Sequence, residues 1–121
     1  MARRSKYGAR TVRVNGHLFR SQWERERYQQ LELLQRAGEI SELEFRDPPK
    51  FALCEDYHCK RTGKKVKAPT YQVDFAYTQD GERVYEDAKG RTLAANIVKR
   101  KIAESRHGVT IWFVYSSGKR V

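Results

Sequence analysis

The sequence predicts one α/β domain. Its 121 residues suit a single domain, and hydrophobic residues make up 39% of them, enough for a packed core. Strand-like and helix-like patterns follow one another in the order hairpin, helix, three strands, helix, strand. The last of these, residues 109–115 (VTIWFVY), is the most apolar run in the chain and predicts a central strand covered on both faces.

The N-terminal third contains three local signals. Residues 1–10 are basic and lack apolar periodicity, which predicts a flexible basic arm. The Asn-Gly pair at 15–16, between TVRV and HLFR, predicts a hairpin with a two-residue turn. Ser21, with Glu24 three residues later, has the capping-box pattern, so a helix should begin there and end at Gly38.

The middle of the chain predicts strands and one insertion. Residues 40–45 alternate between apolar and polar side chains, which indicates a strand, and a second strand is expected at 51–53 after two prolines. Residues 54–69 are polar and basic and predict an exposed loop or hairpin insertion. Two further strands, 71–78 and 82–89, are expected around an Asp-Gly turn.

A second helix is predicted to begin at Thr92 as its cap, to continue to about Arg106 and to end at Gly108. Its periodicity predicts that four apolar side chains face the core, namely Leu93, Ile97, Val98 and Ile102. The same periodicity predicts that three basic side chains face mostly outward, namely Lys99, Arg100 and Lys101.

The charge of the chain predicts a polyanionic partner. With 25 Lys and Arg against 15 Asp and Glu, the formal net charge is +10, which favours binding to nucleic acid or to an anionic membrane surface. No apolar run approaches the roughly 18 to 20 residues of a membrane span, and no secretory signal is recognisable, so a cytoplasmic protein is expected. Two cysteines provide no disulfide framework.

The second hairpin predicts a cluster of charged side chains. A turn centred on Asp80-Gly81 places residues whose numbers sum to 161 opposite each other, so Asp74 faces Asp87. Strand alternation puts Lys89 on the same face as Asp87 and points three apolar side chains to the other side, those of Val73, Phe75 and Tyr77. Facing carboxylates destabilise a sheet unless they share a cation, so the pair predicts a site for a hard metal, usually Mg²⁺.

Each of these residues also has a purely structural interpretation. Asp74 and Asp87 would be ordinary surface residues if the register were shifted by one. Glu24 shares a helix face with Tyr28 and Leu31 and therefore points toward the body, but it could simply close the capping box with Ser21. Lys89 could be one more basic residue among 25.

At these residues the sequence is similar to a known group of enzymes. Asp74, followed by the run EDAKG at 86–90, resembles the D…(D/E)xK signature of the PD-(D/E)XK nuclease superfamily. More closely, roughly residues 17 to 105 resemble a small phage-encoded family of endonucleases or Holliday-junction-resolvase-like proteins within it. The resemblance implies a restriction-endonuclease-like α-β-β-β-α-β core with a mixed sheet flanked by helices, forming one nuclease domain over residues 1–121.

The resemblance also assigns roles to individual residues. It implies that Asp74, Asp87 and the carbonyl of Ala88 hold Mg²⁺, for which Mn²⁺ can substitute, and that Glu24 completes the metal shell. Lys89 would be the signature lysine, which orients the attacking water or neutralises the phosphorus centre. Glu24, Asp74, Asp87 and Lys89 are thus the expected catalytic residues. Two positions depart from the pattern: Val73 stands in place of the signature proline, and Arg46-Asp47 occupies the region where a glutamine is expected.

The expected activity is metal-dependent hydrolysis of DNA, with double-stranded or branched DNA as the substrate and a homodimer as the assembly. No glycine-rich nucleotide-binding loop is present, so no nucleotide cofactor is expected, and no membrane partner either. The expected location is the cytoplasm of a bacterium or of a phage-infected cell. The residues expected to contact DNA are Arg3, Arg4, Lys6, Lys60, Arg61, Lys64, Lys65, Lys67, Lys99, Arg100 and Lys101.

Other interpretations stay open. A non-catalytic nucleic-acid-binding module would use the same basic residues, with the acidic cluster as a structural feature, and metal-dependent activity would distinguish the two. A basic adaptor for an acidic protein surface explains the charge but not the facing aspartates. Cys54, His58 and Cys59 lack the spacing of a structural zinc site.

Overall fold

A computed structural model describes residues 11–121 of the protein and shows a mixed α/β fold. The predicted basic arm, with Arg3, Arg4 and Lys6, lies outside the described residues. Along the described chain the elements are β1 (Val12–Val14), β2 (His17–Phe19), α1 (Gln22–Arg36), β3 (Ser41–Glu44), β4 (Lys50–Ala52), β5 (Tyr57–His58), β6 (Lys65–Val66), β7 (Thr70–Gln72), β8 (Phe75–Gln79), β9 (Glu82–Lys89), α2 (Ala94–His107) and β10 (Ile111–Tyr115).

A four-stranded mixed sheet with the order β10-β9-β8-β3 forms the centre of the fold. Strands β3, β8 and β9 are antiparallel, whereas β10 runs parallel to β9 after the crossover through α2. Three two-stranded sheets accompany it, formed by the pairs β1-β2, β4-β7 and β5-β6. The last pair is a small hairpin within residues 54–69, where an exposed loop or hairpin was predicted.

Both predicted two-residue turns are confirmed. Asn15 and Gly16 have φ values of 50° and 80°, and Asp80 and Gly81 have values of 52° and 79°. Positive φ at both central positions is the geometry of a type I′ turn, which matches the twist of the strands that it joins. The second turn sets the predicted register, because Gln79 pairs with Glu82 and the ladder continues with numbers summing to 161 as far as Phe75 and Glu86.

The first helix begins and ends as predicted. The hydroxyl of Ser21 accepts a hydrogen bond from the backbone N–H of Glu24 at 3.1 Å, which caps the helix. At the other end, Gly38 has a φ of +80° and the N–H of Glu39 donates to the carbonyl of Leu34 at 3.0 Å.

The prediction of one continuous strand over residues 71–78 is wrong, because the structure has two strands there, β7 and β8. β7 leaves the central sheet to pair with β4, and Val73 and Asp74 separate it from β8. This break changes the alternation of side chains. Val73 lies in the core on the α2 side of the sheet, whereas Phe75 and Tyr77 lie in the core on the α1 side, so the prediction that all three share a face is corrected.

The second helix departs further from the prediction. It begins after Leu93, with no side-chain cap, because the hydroxyl of Thr92 instead hydrogen-bonds that of Tyr115. The predicted end at Gly108 is confirmed, with a φ of 65°. The expected core face is wrong, since four apolar side chains are exposed to between 36% and 54%, those of Leu93, Ile97, Val98 and Ile102.

The helix α2 packs through a different residue. Ala103 is fully buried and belongs to the same core cluster as Ile111 and Phe113 of β10. The helix also contacts β4 and β7, the pair of strands beside the central sheet. Neither helix of residues 11–121 is long and apolar enough to cross a membrane.

Candidate active site

A cleft of about 820 Å³ lies where the start of α1, the end of β9 and the start of α2 meet. Six residues that the sequence singled out line it: Glu24, Asp74, Asp87, Ala88, Lys89 and Lys99. The side chains of Arg20 and Tyr71 also line the cleft. The cleft therefore combines three carboxylates, which come from distant parts of the chain, with basic groups at its edge.

The two aspartates are joined through the backbone of both strands. The N–H of Asp74 donates to Asp87 Oδ1 at 2.9 Å, and the N–H of Ala88 donates to Asp74 Oδ2 at 2.9 Å. Asp74 lies just beyond the last ladder pair of β8, and its backbone N–H also donates to the carbonyl of Glu86 at 3.1 Å, so both its backbone and its side chain continue the contact between the strands. The sequence thus placed the two carboxylates together correctly.

Asp87 is held by two further groups. The phenol of Tyr71 donates to Asp87 Oδ2 inside the core, and Lys89 Nζ lies 3.8 Å from the same oxygen. Asp87 is only 2% exposed and Tyr71 6%. Sequence reasoning missed Tyr71, because alternation along one unbroken strand would have pointed it away from Asp74; the break at Val73 brings it back.

Glu24 lies in the cleft as predicted, but it closes the capping box only in part, because its carboxylate accepts from Arg20, the residue before the cap, and not from the N–H of Ser21. Its backbone N–H is capped by Ser21, and its side chain accepts a hydrogen bond from the backbone N–H of Arg20 at 3.3 Å. The same carboxylate is 8% exposed and lines the cleft with the aspartates. A residue of the first helical turn is therefore also part of the acidic cluster, and its spacing from Ser21 was the signal that located it.

For the three carboxylates of the cleft, the effect of burial on the pKa outweighs that of the positive charges nearby. Burial, followed by the charges of Asp74 and Asp87, raises the pKa of Glu24 to about 7. Burial also raises the pKa of both aspartates, although Arg20, Lys89 and backbone N–H donors act in the opposite direction. The guanidinium of Arg20 is 3.7 Å from Asp74 but largely exposed, so it compensates the buried charge only in part.

Lys89 lies at the edge of this cluster. Its side chain is 18% exposed, and its ammonium lies 5.1 Å from the centre of the Phe113 ring as well as near Asp87. The aromatic face and the carboxylate hold the charge in place while leaving part of it accessible from the cleft. A ligand in the cleft can therefore reach the Lys89 ammonium beside the carboxylates.

The donor chemistry of the cleft fits a hard divalent cation. Carboxylate oxygens are the preferred ligands of Mg²⁺, and three carboxylates line the cleft. Within residues 11–121, however, no three His, Cys, Asp or Glu side chains are arranged so that they could hold a metal ion without rearrangement. Hydrogen bonds from Tyr71 and the backbone occupy positions on the aspartate oxygens instead.

The residues predicted to bind DNA fall into several groups. Five of them are exposed on or beside the β5-β6 hairpin: Lys60, Arg61, Lys64, Lys65 and Lys67. Lys99 lines the cleft, and Lys101 is exposed but lines neither it nor a second cleft nearby. The prediction that Arg100 faces outward is corrected. Its guanidinium lies 3.9 Å from the centre of the Phe113 ring and donates to the carbonyl of Val121 at 2.8 Å.

A buried ion pair attaches α1 to the face of the central sheet that carries Phe75 and Tyr77. Arg27 Nε and Nη2 each donate to the carboxylate of Glu86 at 2.8 Å, and the phenol of Tyr77 donates to the same group. Glu86 is completely buried. Since Arg27 lies one helical turn after Glu24, this ion pair fixes the helix that carries the third acid of the cleft.

Comparisons with known proteins identify the family. No curated protein and no solved structure matches the chain. One family model, described as a protein of unknown function (DUF1064), matches residues 4–119. Because that match covers nearly the whole chain, including every residue of the cleft, the protein belongs to the DUF1064 family.

Proposed function

We propose that this protein is a metal-dependent DNA endonuclease that hydrolyses phosphodiester bonds. The observation that carries the proposal is the convergence of Asp74, Asp87 and Glu24 beside Lys89 in one cleft of a strongly basic chain. A protein that only coats phosphates has no electrostatic reason to bury three carboxylates where its ligand would lie.

The order of the elements supports the proposal. The two helices and the strands of the four-stranded sheet follow one another in the order α1, β3, β8, β9, α2 and β10. This is the α-β-β-β-α-β order of the restriction-endonuclease-like core that the sequence resembles. Asp74 lies directly before β8, Asp87 lies near the end of β9, and Glu24 lies in the first turn of α1. This is the arrangement that the resemblance to PD-(D/E)XK nucleases implies.

Four groups would hold the metal, namely the carboxylates of Asp74, Asp87 and Glu24 and the carbonyl of Ala88. A bound Mg²⁺ or Mn²⁺ would polarise the phosphodiester and lower the pKa of a bound water. Lys89 places a positive charge beside the site, where it can stabilise the charge that develops on the phosphoryl oxygens. Tyr71 and the backbone N–H of Asp74 fix the orientation of Asp87.

The substrate that we propose is double-stranded or branched DNA. The exposed lysines and arginine of the β5-β6 hairpin and Lys99 in the cleft supply sequence-independent contacts to phosphates. Paired cuts at a branch point require two active sites, so we propose a homodimer as the acting form.

A cleavage assay tests the proposal. The protein is incubated with linear, nicked, flapped and four-way DNA in Mg²⁺, Mn²⁺ or EDTA, beside the Asp87→Asn variant. Asp80→Asn is a matched control, because this exposed turn residue has a φ of 52° that asparagine also adopts. We expect cleavage only with metal and only with Asp87 intact; tight binding without cleavage under every condition would favour a non-catalytic DNA-binding module.

A further inference from the structure

A second cleft adjoins the acidic one. It measures about 560 Å³ and lies between the end of β9 and the turn that follows β10. Its lining residues are Lys89, Gly90, Tyr115, Ser116, Ser117, Lys119 and Val121. The side chains include two lysines and the hydroxyl groups of Ser116 and Ser117 but no Asp or Glu, a composition that suits an anion. The hydroxyl of Tyr115 is paired with that of Thr92, and the main-chain oxygen of Val121 accepts from Arg100 at 2.8 Å.

The turn that forms one wall has a defined shape. The N–H of Gly118 donates to the carbonyl of Tyr115 at 2.9 Å, and the N–H of Tyr115 donates to the carbonyl of Lys119 at 2.9 Å. Ser117 Oγ accepts a hydrogen bond from the N–H of Lys119 at 3.3 Å, which leaves its own O–H available as a donor. The Lys119 ammonium and the Ser117 hydroxyl are therefore presented by a closed turn rather than by a loose end.

Two residues are shared by both clefts, Lys89 and Gly90. Gly90 is exposed, its φ is not in the left-handed region, and a Cβ at this position would meet no protein atom within 4 Å. Neither the backbone conformation nor the packing of the protein therefore requires glycine here. Because glycine has no side chain, the passage from the acidic cleft to the second, basic cleft stays open at Gly90.

We propose, on the basis of the nuclease function proposed above, that this passage carries one DNA strand. A phosphate at the acidic cleft lies beside Lys89, the strand crosses Gly90, and the neighbouring phosphate of the same strand binds Lys119 and Ser117. The ligand of the second cleft is therefore a backbone phosphodiester. The difference in charge between the clefts sets the order, because Asp and Glu side chains that could hold a metal line the first cleft and none lines the second.

Binding measurements in EDTA test this path without relying on cleavage. The variants are Lys119→Ala and Gly90→Val, singly and together, and the matched control is Lys50→Ala, an exposed lysine that lines neither cleft. The affinity for a duplex oligonucleotide is measured over a range of salt concentrations. Thermal melting of each variant shows that it is folded, as expected for changes at exposed positions.

We expect Lys119→Ala to weaken binding about tenfold and to lower the salt slope by about 0.9, the value of one duplex phosphate contact. Gly90→Val should weaken binding to a similar degree by blocking the passage. In the Gly90→Val background, Lys119→Ala should have little further effect, since the strand no longer reaches it. Lys50→Ala should bind like the wild type.

The outcomes separate this proposal from the proposed catalysis. If Lys119→Ala and Gly90→Val bind DNA like Lys50→Ala, the strand path is wrong, even where the wild type cleaves DNA with Mg²⁺. Fully additive effects of the two changes would also overturn it, because independent sites do not share a strand. If the variants behave as expected but no divalent metal supports cleavage, the second cleft stands as a phosphate site and the catalytic proposal fails.

Discussion

Asp74 and Asp87 each accept a hydrogen bond from the other's strand, through the N–H of Asp74 and the N–H of Ala88, both at 2.9 Å. Two like charges are thus held together by backbone donors that belong to the fold itself. The pair does not depend on a bound cation for its geometry, and the cation would add to an arrangement that is already formed.

Replacing either aspartate by asparagine should abolish cleavage but not DNA binding. The asparagine amide keeps an oxygen for the backbone hydrogen bond but lacks the charge that holds a cation. Affinity for DNA should stay the same or increase, because a negative charge leaves the cleft. Single-turnover cleavage and binding in EDTA measure the two effects. The double variant should be no slower than either single one, and near-normal cleavage by Asp74→Asn would refute the metal site.

Glu24→Gln separates the structural role of Glu24 at the start of α1 from its role in the cleft. Glutamine keeps a side-chain oxygen for the hydrogen bond from the N–H of Arg20, so at mildly acidic pH, where Glu24 is already largely protonated, the Tm should barely change. Cleavage in Mg²⁺ should fall tenfold or more, about 1.4 kcal/mol in activation free energy. Glu24→Ala should in addition cost up to about 1 kcal/mol of stability. Full activity of Glu24→Gln throughout a Mg²⁺ titration would remove Glu24 from the site.

The metal-free protein should lose stability as the pH rises. Burial raises the pKa of Glu24 from 4.5 to about 7, so between these values the folded state binds more protons than the unfolded state. The free energy of unfolding then decreases with increasing pH across this window, and the raised pKa values of Asp74 and Asp87 act in the same direction.

Thermal melting in EDTA between about pH 5 and pH 8 measures this dependence. His17 contributes with the opposite sign, because burial and Arg46 lower its pKa, so the comparison that counts is between wild type and Glu24→Gln. The slope should be shallower in the variant. Mg²⁺ should raise the Tm of the wild type more at the higher pH, since carboxylates must be deprotonated to bind it. Equal slopes in the two proteins would contradict the assigned shift.

Tyr71→Phe should impair cleavage more than folding. The phenol donates to a buried oxygen of Asp87, and its loss leaves that oxygen with Lys89 at 3.8 Å as its nearest remaining charged neighbour. A buried hydrogen bond to a charged group contributes about 1.5 to 3 kcal/mol, so the Tm should fall moderately. We expect a higher Mg²⁺ requirement for cleavage, measured by titration. Tyr57→Phe, at an exposed tyrosine outside the cleft, is the control and should behave like the wild type.

Arg27→Leu should be among the most destabilising substitutions in the chain. It would leave the fully buried carboxylate of Glu86 without its bidentate partner, at a cost of roughly 3 to 5 kcal/mol. Urea denaturation measures the loss. Arg36→Leu, which removes an exposed i,i+4 pair with Glu32, should cost less than about 1 kcal/mol. Recovery of stability in the Arg27→Leu, Glu86→Leu double variant would show that the penalty comes from the uncompensated charge.

The parts of the fold that sequence reasoning predicted are those determined within a few residues. The Asn15-Gly16 and Asp80-Gly81 turns need positive φ, which these residues adopt readily, and the second turn sets the register that brings Asp74 to Asp87. The helix cap at Ser21 is equally local, and it located Glu24.

The features that were missed depend on tertiary contacts. The strand breaks at Val73 because β7 pairs with β4, a partner about twenty residues earlier in the chain, and no local pattern marks this. Tyr71 enters the site only through that break. Thr92 does not cap α2 because Tyr115 competes for its hydroxyl, and the helix turns its small Ala103 inward where periodicity favoured its larger apolar residues.

The hairpin that joins β8 to β9 has a consequence for the order in which the protein folds. Asp74 and Asp87 are thirteen positions apart, so the loop that must close between them is short and the pair can form on the timescale of an isolated hairpin, about 1 to 10 μs. Glu24 arrives only when α1 docks, through Arg27 and Glu86, which are 59 positions apart. We therefore expect the acidic pair to assemble early and the third acid late. When the chain is partly unfolded, Glu24 is therefore the first of the three carboxylates to leave the cleft.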